Sequence, residues 1–210
     1  KIKAPNTAIA LNCENNWDER SRYLLVENRK VENYVDMALY YARMDAVYKD
    51  YMIAESNLQE VAQQVLLQNK YYLIQSHVKA EVACPDTVYS DKKWIAFILN
   101  QLIQNSVKYG RSEGTHIQIV TKKTKSGVLL RVKDDGIGIP KEEIPRIFEK
   151  GFTGTNGRNR ERSTGMGLYL CRKLCDKLNI EIRAESAEGK GTEIILMFPV
   201  SDYLTGYRET

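Results

Sequence analysis

Three short stretches, Asn105-Ser-Val-Lys-Tyr109, Asp134-Asp-Gly-Ile-Gly138 and Gly165-Met-Gly-Leu168, follow one another in that order, each beside a segment whose apolar spacing reads as helix or strand. An amide-rich helix end, a carboxylate closing a strand and a glycine turn opening a helix serve a common purpose only if the elements are layered so that these ends meet. Helices stacked on a sheet achieve that. The spacing predicts such a layer from residue 51 onward: helix over 58–69, mostly strand over 71–83, and a long helix over 91–109 opened by Ser90 or Asp91 as cap. A hairpin follows, with strands over 116–121 and 128–133 around the Lys-Ser-Gly turn at 125–127. A helix near 142–148, a Gly/Arg/Asn-rich loop over 151–163, a helix over 167–178 and strands over 180–186 and 192–198 complete it. The expected arrangement is an α/β sandwich with helices on one face of a mixed sheet.

Residues 1–50 carry helix signal only. Leu24, Val31, Val35, Ala38 and Ala42 recur at steps of seven, four and three and so share one stripe of a helix. Ile2, Ile9 and Cys13 form a shorter stripe, and Asn15-Asn-Trp-Asp18 supplies turn and N-cap chemistry between the two. A helical hairpin cannot enclose a core alone. Pairing with a second copy into a four-helix bundle buries both stripes most simply, the alternative being a hairpin packed on its own downstream domain. The fold class read here is α+β, with a hairpin over 1–50, an α/β sandwich domain over 51–200 and a tail over 201–210.

Composition narrows the function classes. A chain 43% apolar and 28% charged is an ordinary globular one. Thirty-one basic against 27 acidic residues, in short clusters, gives no polyanion stripe, so nucleic acid is not expected as a partner. Cys13, Cys84, Cys171 and Cys175 lack a paired metal-ligand spacing and read as reduced thiols. No run is long enough to span a bilayer and no signal-peptide pattern is present, so the sequence reads as a soluble fragment without membrane contact of its own.

Asp134 closes an apolar strand, where a partly buried carboxylate needs a donor to offset desolvation. An adenine amino group is such a donor, whereas guanine would set acceptor against acceptor. Gly136 and Gly138 remove Cβ atoms that would obstruct a flat base. The amide oxygen of Asn105 can complete a Mg²⁺ shell otherwise made of water and phosphate. Lys108, one turn on, faces the same way, and Tyr109 offers a ring edge or hydroxyl. Thr164, Gly165, Met166, Gly167 and Leu168 form a turn feeding a helix whose first N–H groups suit phosphate. Lys150, Arg158, Arg160 and Arg162 accompany the loop before it, the kind of segment that closes over a ligand. Thr192 ends a lesser glycine signal over 189–192. Taken singly, each stretch also reads as a turn or a solvated face.

With those residues in place, residues 55–199 resemble the catalytic and ATP-binding domain of sensor histidine kinases, within the Bergerat-type ATPase superfamily. The resemblance implies ATP and Mg²⁺ as cofactors, with residues 105–109 as the N box and Asn105 as metal ligand. It makes residues 134–138 the G1 box with Asp134 on adenine, Phe148 and Phe152 the F box, residues 165–168 the G2 box and residues 189–192 the last glycine box. The hairpin then resembles the dimerisation and phosphoacceptor domain, implying a homodimer. Lys1-Ile-Lys-Ala-Pro5 resembles the end of the His-x-x-x-x-Pro phosphoacceptor box, which places the acceptor histidine just before Lys1. His77 and His116, read as strand residues, have no helical context and are taken as structural or surface groups.

Three positions depart from the family pattern. Lys1 replaces an acidic neighbour of the acceptor, Ala4 stands where Thr or Asn supports phosphatase activity, and Gln101 replaces the Asn or base-forming Glu four residues before Asn105. An amide cannot activate water, so slow hydrolysis with transfer to protein histidine fits better than rapid turnover. The string Asp91-Lys-Lys-Trp94 and the Asn100-Gln101 pair also resemble Gram-positive kinases that sense antimicrobial peptides beside a transporter. What the resemblance implies is a two-component kinase core, the cytoplasmic part of a membrane sensor. It would autophosphorylate a histidine and pass phosphate to the aspartate of a response-regulator receiver domain, with a membrane transporter as a further partner of the intact protein. The alternatives are a nucleotide-binding pseudokinase that only dimerises, or another superfamily ATPase.

Overall fold

The computed structural model describes residues 18–43, 51–155 and 164–200, together with 6, 7, 9–11 and 13. Ile2, Lys1 to Pro5, residues 15–17, the loop arginines 158, 160 and 162, and the tail over 201–210 lie outside the described residues.

The first long helix, α1, spans Glu19–Arg43. Asp18 starts it, its Oδ1 accepting the Ser21 N–H at 2.6 Å and so satisfying one of the donors a helix start leaves open. The helix has two heptad-spaced stripes. Val26, Asn33, Met37 and Tyr40 turn inward, while Leu24, Val31, Ala38 and Ala42, offset by two residues and hence by roughly 200° at ~100° per residue, are exposed. The sequence-derived stripe is therefore the outer one. What holds the inner stripe is aromatic and amide chemistry: the Tyr40 ring lies 4.6 Å from Trp94 and 4.4 Å from Phe97, and Asn33 Oδ1 accepts the Asn100 Nδ2–H at 3.0 Å.

The remainder is a sandwich of one sheet and three principal helices. Strands β1 (Ala54–Asn57) and β3 (Thr87–Ser90) make a small antiparallel pair, and β2 (Val78–Ala83), β4 (Thr115–Thr124), β5 (Gly127–Asp134), β6 (Glu181–Ser186) and β7 (Thr192–Pro199) form the main sheet. Its order is β2-β4-β5-β7-β6, with β2 parallel to β4 and every other pairing antiparallel. Ile117, Ile119, Leu130, Val132, Ile182, Ile194, Leu196 and Phe198 point to one buried layer, as the two-residue period of strands requires. Helices α2 (Leu58–Gln68), α4 (Lys92–Lys108) and α5 (Gly167–Lys177) cover that layer. Asp91 caps α4 through the Lys93 N–H at 2.9 Å, and its other oxygen accepts the Met52 N–H at 2.9 Å.

Three expectations change. Residues 70–75 form a short helix, α3 (Lys70–Gln75), rather than strand. Asn69 ends α2 with its Nδ2 donating to Val65 O and to Asn100 Oδ1, both at 2.8 Å, and the chain restarts as helix from that anchor with Leu73 turned into the core. Tertiary packing overrides the strand preference of Tyr71-Tyr-Leu-Ile74. Residues 142–148 hold only a 3₁₀ turn, Ile144–Arg146, because Pro145 has no N–H to continue a helix. His77 sits in the turn after α3 at φ 52°, not in a strand, and is exposed; His116 does lie near the start of β4, its Nε2 3.2 Å from Glu81 Oε1.

All four cysteines are buried free thiols, and burial pushes Cys175 up to about 12, which makes it a packing group rather than a nucleophile. Among the described residues no helix is long and apolar enough to cross a membrane.

Candidate nucleotide site

The end of α4, the end of β5, the start of β7 and the start of α5 meet at one edge of the sandwich. Asp134 is the last residue of β5 and pairs with Thr192, the first of β7. Its Oδ1 accepts the Gly136 N–H at 3.0 Å and the Thr192 N–H at 3.1 Å, and its Oδ2 accepts the Ser106 hydroxyl at 2.8 Å. Burial nevertheless holds the carboxyl above its usual range, the three hydrogen bonds and the neighbouring Asp135 being smaller influences. Oδ2 retains acceptor capacity on the side of a cavity of about 110 Å³, lined among others by Val132, Gly138, Ile139, Phe152 and Ile194. An apolar slot with one orienting acceptor suits a flat base bearing an amino group.

The glycines also allow close backbone packing. A Cβ on Gly136 would lie 2.6 Å from Tyr109 O, and one on Gly138, at φ 71°, would collide with Ala187 O. Their lack of a Cβ lets neighbouring backbone close around the slot. Ile137 N–H donates to Tyr109 O at 3.0 Å, tying the loop after β5 to the end of α4.

A second cavity, about 160 Å³, adjoins the first, and the two share Asn105, Tyr109, Ile147, Phe152 and Leu168 as walls. Its other lining includes Gln101, Gln104, Lys108, Thr164, Gly165 and Gly167. Gly165, at φ 64°, packs against Gly151 so closely that a Cβ would lie 2.4 Å from the Gly151 carbonyl carbon, and Gly151 N–H donates to Gly165 O at 3.1 Å. This clasp aims the start of α5 into the cavity. Met166 at the cap position supplies no side-chain hydrogen bond, so the first-turn N–H groups of α5 are left for an anion.

Gln101 is buried, and its Nε2 has no hydrogen-bond partner among the described residues. A Cβ on Gly167 would lie 2.9 Å from its Oε1, so the glycine makes room for the amide. An orphaned donor, the half-buried Asn105 amide, a lysine and a helix start around one cavity are a donor set that fits a polyphosphate with a hard cation.

The structure thus brings Asn105, Lys108, Tyr109, Asp134, Gly138, Thr164, Gly165, Gly167, Leu168 and Thr192 to two joined cavities, with Gly136 and Met166 in the backbone behind them. Phe152 faces both cavities, whereas Phe148 packs against the core. Sequence reading missed three groups. Ser106 adjoins Asn105 but faces the sheet, and only the meeting of α4 with β5 shows its hydroxyl on Asp134. Arg111 donates to Asp135 O at 2.7 Å and also to Gly189 O, bracing the two glycine loops against each other. Residues of α1, Lys30 and Tyr34 among them, line the second cavity; no local pattern signals that docking.

The comparisons with known proteins agree with this geometry. Residues 90–202 match the family model described as histidine kinase-, DNA gyrase B- and HSP90-like ATPase. The sensor histidine kinase YxdK of Bacillus subtilis is 32% identical over 200 residues, which cover 94% of this chain and 62% of that protein. The sensor protein kinase GraS of Staphylococcus aureus is 36% identical over 207 residues, covering 96% and 58%. The chain therefore spans about three fifths of the length of the curated relatives it matches. Among solved structures, the catalytic domain of histidine kinase ThkA superposes with a TM-score of 0.61 at 26% identity, covering 70% of this chain and 97% of that one. ThkA in complex with the response regulator protein TrrA gives 0.62 at 22% identity, covering 90% and 52%, which speaks to fold alone. The chain belongs to the histidine kinase-, DNA gyrase B- and HSP90-like ATPase family, and over nearly its whole length it is similar to sensor histidine kinases.

Proposed function

We propose that this chain binds Mg²⁺-ATP across the two joined cavities and transfers the γ-phosphoryl group to a histidine of the helical hairpin, five residues before Pro5. From there the group passes to an aspartate on a response-regulator receiver domain. The observation that carries this reading is the adjacency of the cavities: Asp134 lines one, Lys108 and the start of α5 line the other, and Asn105 lines both.

Asp134 Oδ2 accepts the adenine amino hydrogen, while Ser106 and the Gly136 and Thr192 N–H groups fix the carboxylate's orientation. Asn105 would hold a Mg²⁺, which when bound would supply neutralisation of phosphate charge. Lys108, Gln101 Nε2 and the first N–H groups of α5 hold the phosphate oxygens, with Thr164 and Met166 shaping the turn. Phosphoryl transfer needs positioning and charge neutralisation more than a strong base, and a neutral imidazole is already nucleophilic. Gln101, an amide, leaves water without a base, which favours transfer over hydrolysis. The exposed α1 stripe supports a homodimeric four-helix bundle, and the relatives' names, a sensor histidine kinase and a sensor protein kinase, support a kinase core within a sensor protein. ThkA's crystallisation with TrrA supports a receiver domain as the phosphate's destination.

The test uses the longer protein carrying that histidine, incubated with Mg²⁺ and γ-labelled ATP. The expected product is acid-labile, alkali-stable protein phosphate that disappears on replacing the histidine and moves to a receiver domain. Acid-stable label, or none despite bound ATP, would sink the reading.

A further inference from the structure

One wall of the phosphate cavity is supplied by α1, outside the region matched by the family model. Val26, Lys30, Asn33, Tyr34 and Met37 line it beside Asn105, Lys108 and Gly165. Lys30 lies four residues after Val26 and three before Asn33, on the inner stripe, so the helix's own periodicity turns its ammonium toward the cavity rather than away. There Lys30 Nζ pairs with Glu27 Oε1 at 2.9 Å, the lysine side chain 31% and the glutamate 41% exposed. Such a pair is worth only about 0–1 kcal/mol, so a polyphosphate bearing several charges competes for the lysine easily.

We propose that Lys30 is a phosphate-contact residue for bound nucleotide, donated by α1 and held in reserve by Glu27. This rests on the nucleotide reading above and deepens it. The nucleotide site is then composite: adenine and metal are read by the sandwich alone, while the phosphate tail is read jointly with the docked helix. By linkage, nucleotide binding strengthens α1 docking by the same factor that docking strengthens nucleotide binding. Glu27 tunes this by competing for the same ammonium.

The experiment is calorimetric titration of the whole chain with Mg²⁺-ATP, and separately with adenosine, for the unaltered chain, Lys30→Gln and Glu27→Gln. Lys30→Gln is expected to weaken ATP binding roughly 3- to 10-fold and Glu27→Gln to strengthen it roughly 2- to 3-fold, the size of one partly exposed charge, with adenosine binding unchanged in both. Both substitutions break the same ion pair, so a purely structural role for that pair would move ATP affinity in the same direction in each; that result overturns the proposal. So does a Lys30→Gln affinity equal to that of the unaltered chain. If the unaltered chain binds no ATP, the nucleotide reading itself fails, an outcome distinct from either.

Discussion

Helix α4 buries Trp94, Ile95, Phe97, Ile98, Leu99, Leu102 and Ile103 around nearly its whole circumference, whereas α1 buries a narrow stripe of mixed chemistry and leaves Leu24 and Val31 more than 40% exposed. Both are long helices with heptad-like apolar spacing, yet one is an interior strut and the other a docked arm. The interior helix is fixed by dense apolar contact. Among the described residues, the contacts that hold the arm include an amide-to-amide hydrogen bond, the Tyr40 ring against Trp94 and Phe97, and the Lys150 ammonium donating to Tyr41 Oη at 2.5 Å. Contacts of that kind are worth about 1 kcal/mol each, so the arm can leave its seat while the sandwich stays folded.

Ile98→Ala should widen the contrast most. It removes a fully buried side chain from α4 and should lower global stability by about 2–5 kcal/mol in denaturant titration. An effect below about 1 kcal/mol would mean that α4 is not the strut described. Tyr40→Ala removes two ring contacts and should free α1 by roughly 1–2 kcal/mol, seen as faster amide exchange over residues 19–43 with the sheet amides unchanged. Equal acceleration in both regions would erase the distinction. Val31→Asp, on the outer stripe, should leave unfolding within about 0.5 kcal/mol in the absence of self-association, yet shift sedimentation of the longer protein from dimer toward monomer. An unaltered dimer would place the interface elsewhere.

Acid separates the two regions by sign. Hydrogen bonds from Ser21 hold the Asp18 carboxyl at the start of α1 below its ordinary value of 3.8, so its stabilising effect is present above 3.8 and is lost as pH falls through the lowered value. Burial holds Asp134 above 3.8, so the folded sandwich keeps that proton to a higher pH than the unfolded chain. Its contribution to stability therefore improves as pH falls from the raised value to 3.8, while adenine binding, on the proposal that it uses the carboxylate, weakens over the same window. Nucleotide titrations at stepped pH check this; affinity constant down to 3.8 would contradict it.

The same contrast marks what a sequence discloses. The sandwich was legible because its signals are local: Asp91 caps α4, period-two strands build the sheet, and Asp134 and Gly165 punctuate element ends. The strand pair β1–β3 was not, since four-residue strands with buried Ser56 and Ser90 give no alternation to read. The 70–75 segment misled because Asn69 acts through distant Asn100. On α1 the apolar stripe was found, but its inner neighbour was not: Asn33, Tyr40 and Lys30 look like solvated residues until α4 and the phosphate cavity stand beside them. Ser106 and Arg111 escaped for the same reason, their partners lying 28 and 24 residues away.

The central claim is that one carboxylate reads the base in a cavity that adjoins the phosphate site. Calorimetric titration of Asp134→Asn with Mg²⁺-ATP tests it most directly. A buried hydrogen bond to a charged group is worth about 1.5–3 kcal/mol, so the account predicts a loss of about 10- to 100-fold in affinity and of preference for ATP over GTP, with the fold intact by circular dichroism. Affinity and base preference unchanged from the unaltered chain would contradict it.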